Sequence, residues 1–345
     1  MIKIRKVKVT EKIYDINVMD NHNFFANDIL VHNCQESFSL TKVATKWKES
    51  VENEQRTITE TDGLYHSCSL ISINVGNLVT ATDEEKKEVI GLAVKALDKG
   101  IDLTDSPVLE AERGSKLLRN IGIGFVGVGD YLAYHKLMFT GDGAKEAEKL
   151  MEFFTYYAYK ASVELAKEKG SYPLFKKADY STILGKDPKE LNKLSLNGLN
   201  WVELQGDIRK YGIRNALLMA IAPNTSTGGL CNATASCLPV YSKEMFQTFA
   251  EFTVPVLPKY VKDRYWYYKT KWQYTPEETI SYVRSIQKWI DTGISMEINI
   301  NPALTNIKKI SDAVIAGFLN KQLKAVYYSM TIGDDKDDNC TDCAN

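Results

Sequence analysis

From Cys68 to Met330, short apolar runs of strand length alternate with longer runs of helical period, and this alternation restricts the fold more than any other feature of the chain. Cys68 to Val75 is strand-like. Thr82-Asp-Glu-Glu85 is a capping box opening a helix with apolar Val89, Leu92, Ala93 and Leu97. Ile121 to Val128 is Gly-rich and apolar, and Ala144 to Lys169 reads as a long helix stopped at Gly170. Arg214 to Ala222 reads as a strand running into the loop PNTSTGG. Thr275-Pro-Glu-Glu278 starts a helix that Gly293 ends, and Ile294 to Ile300 and Lys324 to Met330 are further strands. Such alternation predicts an α/β sheet or barrel.

The first 33 residues differ. Residues 2–9 and 13–19 alternate with period two, Asp20, Asn21 and Asn23 mark a turn, and Ile29 to Val31 is a third short strand. This all-β segment is too short to bury a core alone and needs a partner. Lys3, Arg5, Lys6, Lys8 and Lys12 make it basic, which suits either a solvated strand face or docking onto an acidic partner. At the other end, Asp334 to Asn345 is polar and acidic and reads as a flexible tail. The organisation is thus 1–33, 34–333 and 334–345.

A net charge of −1 gives no reason to expect nucleic acid or an acidic membrane as partner, and no apolar run approaches the roughly 20 residues that span a bilayer. The N-terminus has no signal-peptide core, so the expected location is cytoplasmic. In that compartment six cysteines are thiols with tasks or inert core residues rather than a disulfide framework.

One stretch, HNFFANDILVHNC (22–34), places an asparagine directly before a thiol with a histidine behind it. The Asn33 amide can attack its own carbonyl, form a succinimide and cut the chain, leaving Cys34 as a new N-terminus. YDINV (14–18), HNFF (22–25) and VHNC (31–34) together resemble the last sequence blocks of an intein. The resemblance implies that Cys34 accepts an upstream polypeptide by transesterification, that Asn33 cyclises and that His32 assists the cleavage. It also implies that His22 and Asp15 tune the branched intermediate; taken alone, His22 is a turn histidine. Only the last part of an intein is represented, which implies trans-splicing with a separate N-terminal fragment, or a longer precursor.

From Cys34 onward the chain resembles the C-terminal part of the large subunit of a class I ribonucleotide reductase. The motifs are CQE (34–36), YHSCSLISINVGNL (65–78), RNIGIGFVGVGDYL (119–132), KGSYPLF (169–175), RNALLMAIAPNTSTG (214–228), QKWIDTGISMEININ (287–301) and AVYYSMT (325–331). The resemblance implies the second part of a ten-stranded β/α barrel that reduces ribonucleoside diphosphates for DNA synthesis. Within it, Cys34 falls at the thiyl-radical cysteine and Glu36 at the carboxylate that takes the 3′-hydroxyl proton. Cys68 falls at one of two reducing thiols, its partner lying in the earlier half of the family. Alone, Glu36 would be a surface glutamate and Cys68 a core residue.

Asn224, Thr225, Ser226 and Thr227 offer hydroxyls and backbone N–H groups that suit the substrate diphosphate, although relatives often carry an acidic residue in this loop and this chain has none. Tyr327 and Tyr328 fall at a pair passing the radical from a metal-containing small subunit, with aromatic packing as the simpler reading. Cys340 and Cys343 form a C-x-x-C that would exchange with the internal disulfide and then with thioredoxin or glutaredoxin. A zinc site is the rival, but no second Cys/His pair accompanies them, and no metal or directly bound cofactor is expected on this chain. Cys231 and Cys237 match no family role and read as structural. The resemblance further implies ATP/dNTP effectors and a homodimeric large subunit.

Two other classes remain open. A non-catalytic docking fragment with a dead intein remnant would fit loss of Asn33 or Cys34, yet both are present. A C-x-x-C thiol oxidoreductase would need a βαβ setting around Cys340, which instead lies in a polar terminus.

Overall fold

The structure, a computed structural model, describes residues 23–26, 29–32, 36–52, 55–67, 69–249, 252–301 and 306–331. The expected strands at 2–9 and 13–19 and the polar tail at 334–345 lie outside these residues. The chain opens with two antiparallel hairpins, β1 (Asn23–Ala26) with β2 (Ile29–His32) and β3 (Trp47–Glu52) with β4 (Gln55–Glu60). The first pairs Asn23 with His32 and Phe24 with Val31, so residues 23 and 24 of the HNFF run lie opposite the VH step in one ladder.

The alternating part follows as β5 (Leu70–Asn74), α1 (Asp83–Leu103), α2 (Leu109–Leu118), β6 (Gly122–Val126), α3 (Val128–Tyr134) and α4 (Asp142–Lys169). Next come α5 (Pro188–Leu194), α6 (Trp201–Tyr211) and α7 (Thr225–Leu230), then the hairpin of β7 (Met245–Phe249) and β8 (Phe252–Val256). The chain continues through α8 (Val261–Arg264), α9 (Pro276–Gln287), β9 (Glu297–Ile300), α10 (Ile307–Leu319) and β10 (Tyr328–Thr331).

β5 and β6 are parallel, with Leu70 against Gly122 and Asn74 against Val126. Residues 217–222 continue the sheet through parallel bridges from Ile123 to Met219 and from Ile221 to Ile294. Residues 292–300 come next, and β9 pairs in parallel with β10, Glu297 against Tyr328. The order is therefore β5, β6, 217–222, 292–300, β10, with helices in the connections. All five residues of β6 are buried, as expected for a parallel strand covered on both faces. Gly124 is required there, since a Cβ would lie 2.5 Å from the Ala220 carbonyl oxygen.

The capping boxes at Thr82 and Thr275 form as expected, each threonine hydroxyl accepting from the backbone N–H of the third helical residue. α4 ends at Gly170, whose φ of 81° suits glycine. α4 is the central helix of the core and packs on α1, α6 and α9. Trp201 and Trp289 stack at 5.6 Å beside it, their indole N–H groups directed to Glu152 and Glu148.

Two expectations need correction. Arg214 to Ala222 is not a regular strand over its length, because the backbone N–H groups of Leu218 and Met219 go to the Asp291 carboxylate at 2.7 and 2.8 Å. The helix opened at Thr275 ends at Gln287, ahead of Gly293, and regular pairing to β10 starts at Glu297 because Met296 N–H turns back to the Ile294 carbonyl. The described residues form no closed barrel, and among them β5 and β10 are each paired on one side.

Candidate active site

Glu36 is the most informative of the described site residues. It is 2% exposed, unlike the surface glutamate it would be in isolation. Ser295 Oγ donates to its carboxylate at 2.6 Å, and Gly293 N–H donates to its carbonyl at 2.6 Å. Burial pushes the Glu36 carboxyl above the usual carboxylate range, and the Ser295 hydroxyl offsets part of that rise. Two further contacts hold the same segment. Ser37 Oγ lies 2.7 Å from His66 Nε2, and Asn120 Nδ2 donates to Ser39 Oγ at 2.6 Å.

The sheet carries this carboxylate to the loop of Asn224 to Thr227. Ser295 N–H donates to the Ile221 carbonyl, and the loop begins three residues beyond Ile221. Asn224 has φ 45°, a left-handed conformation that asparagine tolerates. Its Nδ2 donates to Ser72 Oγ at 2.6 Å, and Thr227 Oγ1 donates to its Oδ1 at 3.3 Å. Asn224 thus fastens the loop to β5, while Thr225 and Thr227 remain exposed and the six-residue α7 starts at Thr225.

The far side of the loop is held as firmly. Asn74 Nδ2 donates to the Cys231 carbonyl, and buried Asp130 accepts from the backbone N–H groups of Thr234 and Lys259 and from the Tyr268 hydroxyl. These anchors set the loop at the carboxyl ends of β5 and 217–222, where open parallel sheets place ligands.

Tyr327 N–H donates to the Met296 carbonyl at 2.7 Å, next to Ser295, and Tyr328 is the first residue of β10. The structure therefore brings Glu36, the 224–227 loop and the tyrosine strand to adjacent strands at one end of the sheet. Asp15, His22, Asn33, Cys34, Cys68, Cys340 and Cys343 lie outside the described residues, and His32 enters only through the β2 ladder.

Cys237 is buried, with its thiol pushed up to about 12 by burial, as suits an inert core residue. Cys231 is exposed, and it is its carbonyl that the loop uses. Among the described residues no group of acidic, His and Cys side chains could hold a metal, and no helix is long and apolar enough to cross a membrane. Sequence reasoning did not single out Ser295, His66, Ser72 or Asp130. All four stand inside quoted motifs, GISMEININ, YHSCSLISINVGNL and GFVGVGDYL, where a polar residue in or beside an apolar run was the available signal.

Comparison with known proteins gives the same direction. The family model described as "Ribonucleotide reductase, barrel domain" matches residues 17–329. The ribonucleoside-diphosphate reductase subunit alpha of Synechocystis sp. is 35% identical over 301 residues, covering 81% of this chain and 38% of that protein. The subunit alpha of Buchnera aphidicola (from Acyrthosiphon pisum) is 32% identical over 294 residues, and that of Helicobacter pylori strain 26695 is 31% identical over 280. These alignments cover 81% and 77% of this chain and 38% and 35% of the relatives, so the chain spans just over a third of their length.

Proposed function

The chain belongs to the ribonucleotide reductase barrel-domain family, and from that premise we propose that it supplies the C-terminal part of a reductase large subunit that converts ribonucleoside diphosphates to deoxyribonucleoside diphosphates. The observation that carries the proposal is the buried Glu36 carboxylate, held by Ser295 at the sheet end shared with the 224–227 loop. In this reading a Cys34 thiyl radical removes the hydrogen atom from C3′ of the ribose. Glu36 takes the 3′-hydroxyl proton as the 2′-hydroxyl, protonated by one of the two reducing thiols, leaves as water, and the other thiol supplies the new hydrogen at C2′. Cys68 and a second thiol from the remainder of the large subunit supply two electrons and become a disulfide, and the hydrogen atom returns to C3′. The diphosphate sits on Asn224, Thr225, Ser226 and Thr227.

A carboxylate whose proton affinity is raised by burial suits a group that must accept a proton and later return it. Tyr327 and Tyr328 carry the radical inward from a metal-containing small subunit. Cys340 and Cys343 pass electrons from thioredoxin or glutaredoxin to the internal disulfide. The assembled large subunit would be a homodimer under ATP/dNTP control.

Residues 1–33 act before this chemistry. In our reading they are the C-terminal segment of an intein that works in trans with an N-terminal piece on a second polypeptide. Asn33 cyclisation, assisted by His32 and prepared by Asp15 and His22, releases the segment and joins Cys34 to the upstream reductase half. The same thiol is then splicing acceptor and radical site, so the unspliced chain is inactive as a reductase. The support is the triple match of YDINV, HNFF and VHNC in order.

The reductase reading is tested with the joined large subunit plus small subunit, by chromatographic assay of deoxyribonucleoside diphosphate. Glu36→Gln is expected to lower kcat by at least about a hundredfold, the scale of general acid–base catalysis, with substrate binding kept. Turnover within a few-fold of wild type would remove Glu36 from the mechanism.

A further inference from the structure

The proposed reaction needs the Glu36 and Cys68 segments on one sugar, and a pair of side chains outside that chemistry joins them. Ser37 follows Glu36 directly, and His66 stands two residues before Cys68. Ser37 Oγ and His66 Nε2 are 2.7 Å apart across 29 residues of sequence. The other ring nitrogen, Nδ1, is buried and makes no hydrogen bond among the described residues. Burial moves the ring below its ordinary value, which favours the neutral form. A neutral imidazole has one donor and one acceptor nitrogen, and among the described residues the ring's hydrogen bond is the one to Ser37.

We infer that His66 is a positioning residue, locking the Glu36 segment to the Cys68 segment through Ser37. The inference rests on the reductase reading for its consequence, although the lock itself is a contact within this chain. Its mechanical logic is local. The Glu36 carbonyl is pinned by Gly293 N–H and its carboxylate by Ser295. Asn120 pins Ser39. Ser37 is the point between these anchors where the segment meets the run leading to Cys68. Without the hydroxyl the segment still has its sheet anchors, so the chain folds, but the two reacting segments lose their direct tie. Small misplacements of reacting groups are costly in rate, up to about a hundredfold for 1 Å.

The joined large subunit is assayed with small subunit. Ser37→Ala is expected to lower kcat about tenfold with KM within about twofold, since the lock orders reacting groups without touching the diphosphate loop. Ser37→Thr, which keeps the hydroxyl, restores kcat to within about threefold of wild type. The double variant Ser37→Ala/His66→Phe is no slower than the slower single variant, the behaviour of residues acting as one unit. Failure of threonine to rescue, multiplicative losses, or a change confined to KM would overturn the assignment.

A second measurement needs no turnover. In the full chain, alkylation of Cys68 by iodoacetamide, followed by peptide mass, is expected to be several-fold faster in Ser37→Ala and at the wild-type rate in Ser37→Thr. Equal rates in all three proteins would overturn the lock. If the alkylation pattern holds while the wild-type joined enzyme makes no deoxyribonucleotide, the lock stands and the reductase reading fails.

Discussion

At the scale of single residues, the site is a case of an acidic group kept where an ionised carboxylate is costly. Glu36 is buried, and that burial raises its proton affinity above the ordinary value of 4.5. A folded-state pKa above the unfolded one contributes stability that is complete below the unfolded value and is lost as pH rises through the folded value. At neutral pH the ionised Glu36 is thus a burden on the fold. Glu36→Gln is accordingly expected to raise thermal stability near pH 7.5 by about 0.5–2 kcal/mol while lowering turnover at least about a hundredfold, the trade expected of a functional group. Matched thermal melts at pH 7.5 and pH 4 check this, with the gain shrinking at the lower pH; a variant less stable at pH 7.5 would contradict it. The same titration predicts an acid limb in the reductase rate with a midpoint above 4.5. The sequence pointed to Glu36 through its place beside Cys34, yet its partner was hidden. Ser295 is 259 residues away, and nothing in a local pattern says that a serine in GISMEIN meets a carboxylate near the N-terminus.

At the scale of elements, the helices were largely legible because their signals are local. The capping boxes at Thr82 and Thr275 and the Gly170 stop were visible as short strings, and each is made by residues a few positions apart. The irregular strands were less legible because side chains from elsewhere take over their backbone groups. Residues 217–222 give two N–H groups to Asp291, and their start is organised by Asp98, which is fully buried. Asp98 accepts from Arg119 at 2.8 Å, Arg214 at 3.2 Å and Asn215 at 3.3 Å. Burial pushes its carboxyl up, but the hydrogen bond and charge of Arg119 with the charges of Arg214 and Lys169 hold it below its ordinary value. Asp98→Ala leaves buried Arg119 with the partly exposed Asp102, 2.9 Å away, as its remaining counter-charge and is expected to cost about 3 kcal/mol in denaturant unfolding at pH 7. Because the folded pKa is depressed, that stabilisation is present above the unfolded value of 3.8 and fades as pH falls below it. A loss under 1 kcal/mol at pH 7 would show the network to be ornamental. Gly124→Ala tests the close approach of β6 to residues 217–222. The added Cβ meets the Ala220 carbonyl at 2.5 Å, and an expected cost of about 1–3 kcal/mol reflects overpacking against backbone rather than against a side chain that can move.

At the scale of the whole molecule, the chain spans just over a third of the length of the relatives it matches. Among the described residues β5 and β10 each have one unpaired edge, and five parallel segments do not enclose a barrel. Alternation of strand and helix was enough to read the α/β class, since it depends only on period. Closure was not readable from this chain, because it depends on how many strands stand side by side. The proposal ties the 22–34 stretch to the reductase reading: joining at the peptide bond before Cys34 would complete the large subunit. Intact mass after mixing this chain with an N-terminal fragment carrying the matching intein piece tests that claim most directly. The account predicts loss of a peptide ending at Asn33 and a new product joined at Cys34, with Asn33→Ala blocking release. An unchanged mass while the fragment binds, or release of residues 1–33 without joining, would contradict it.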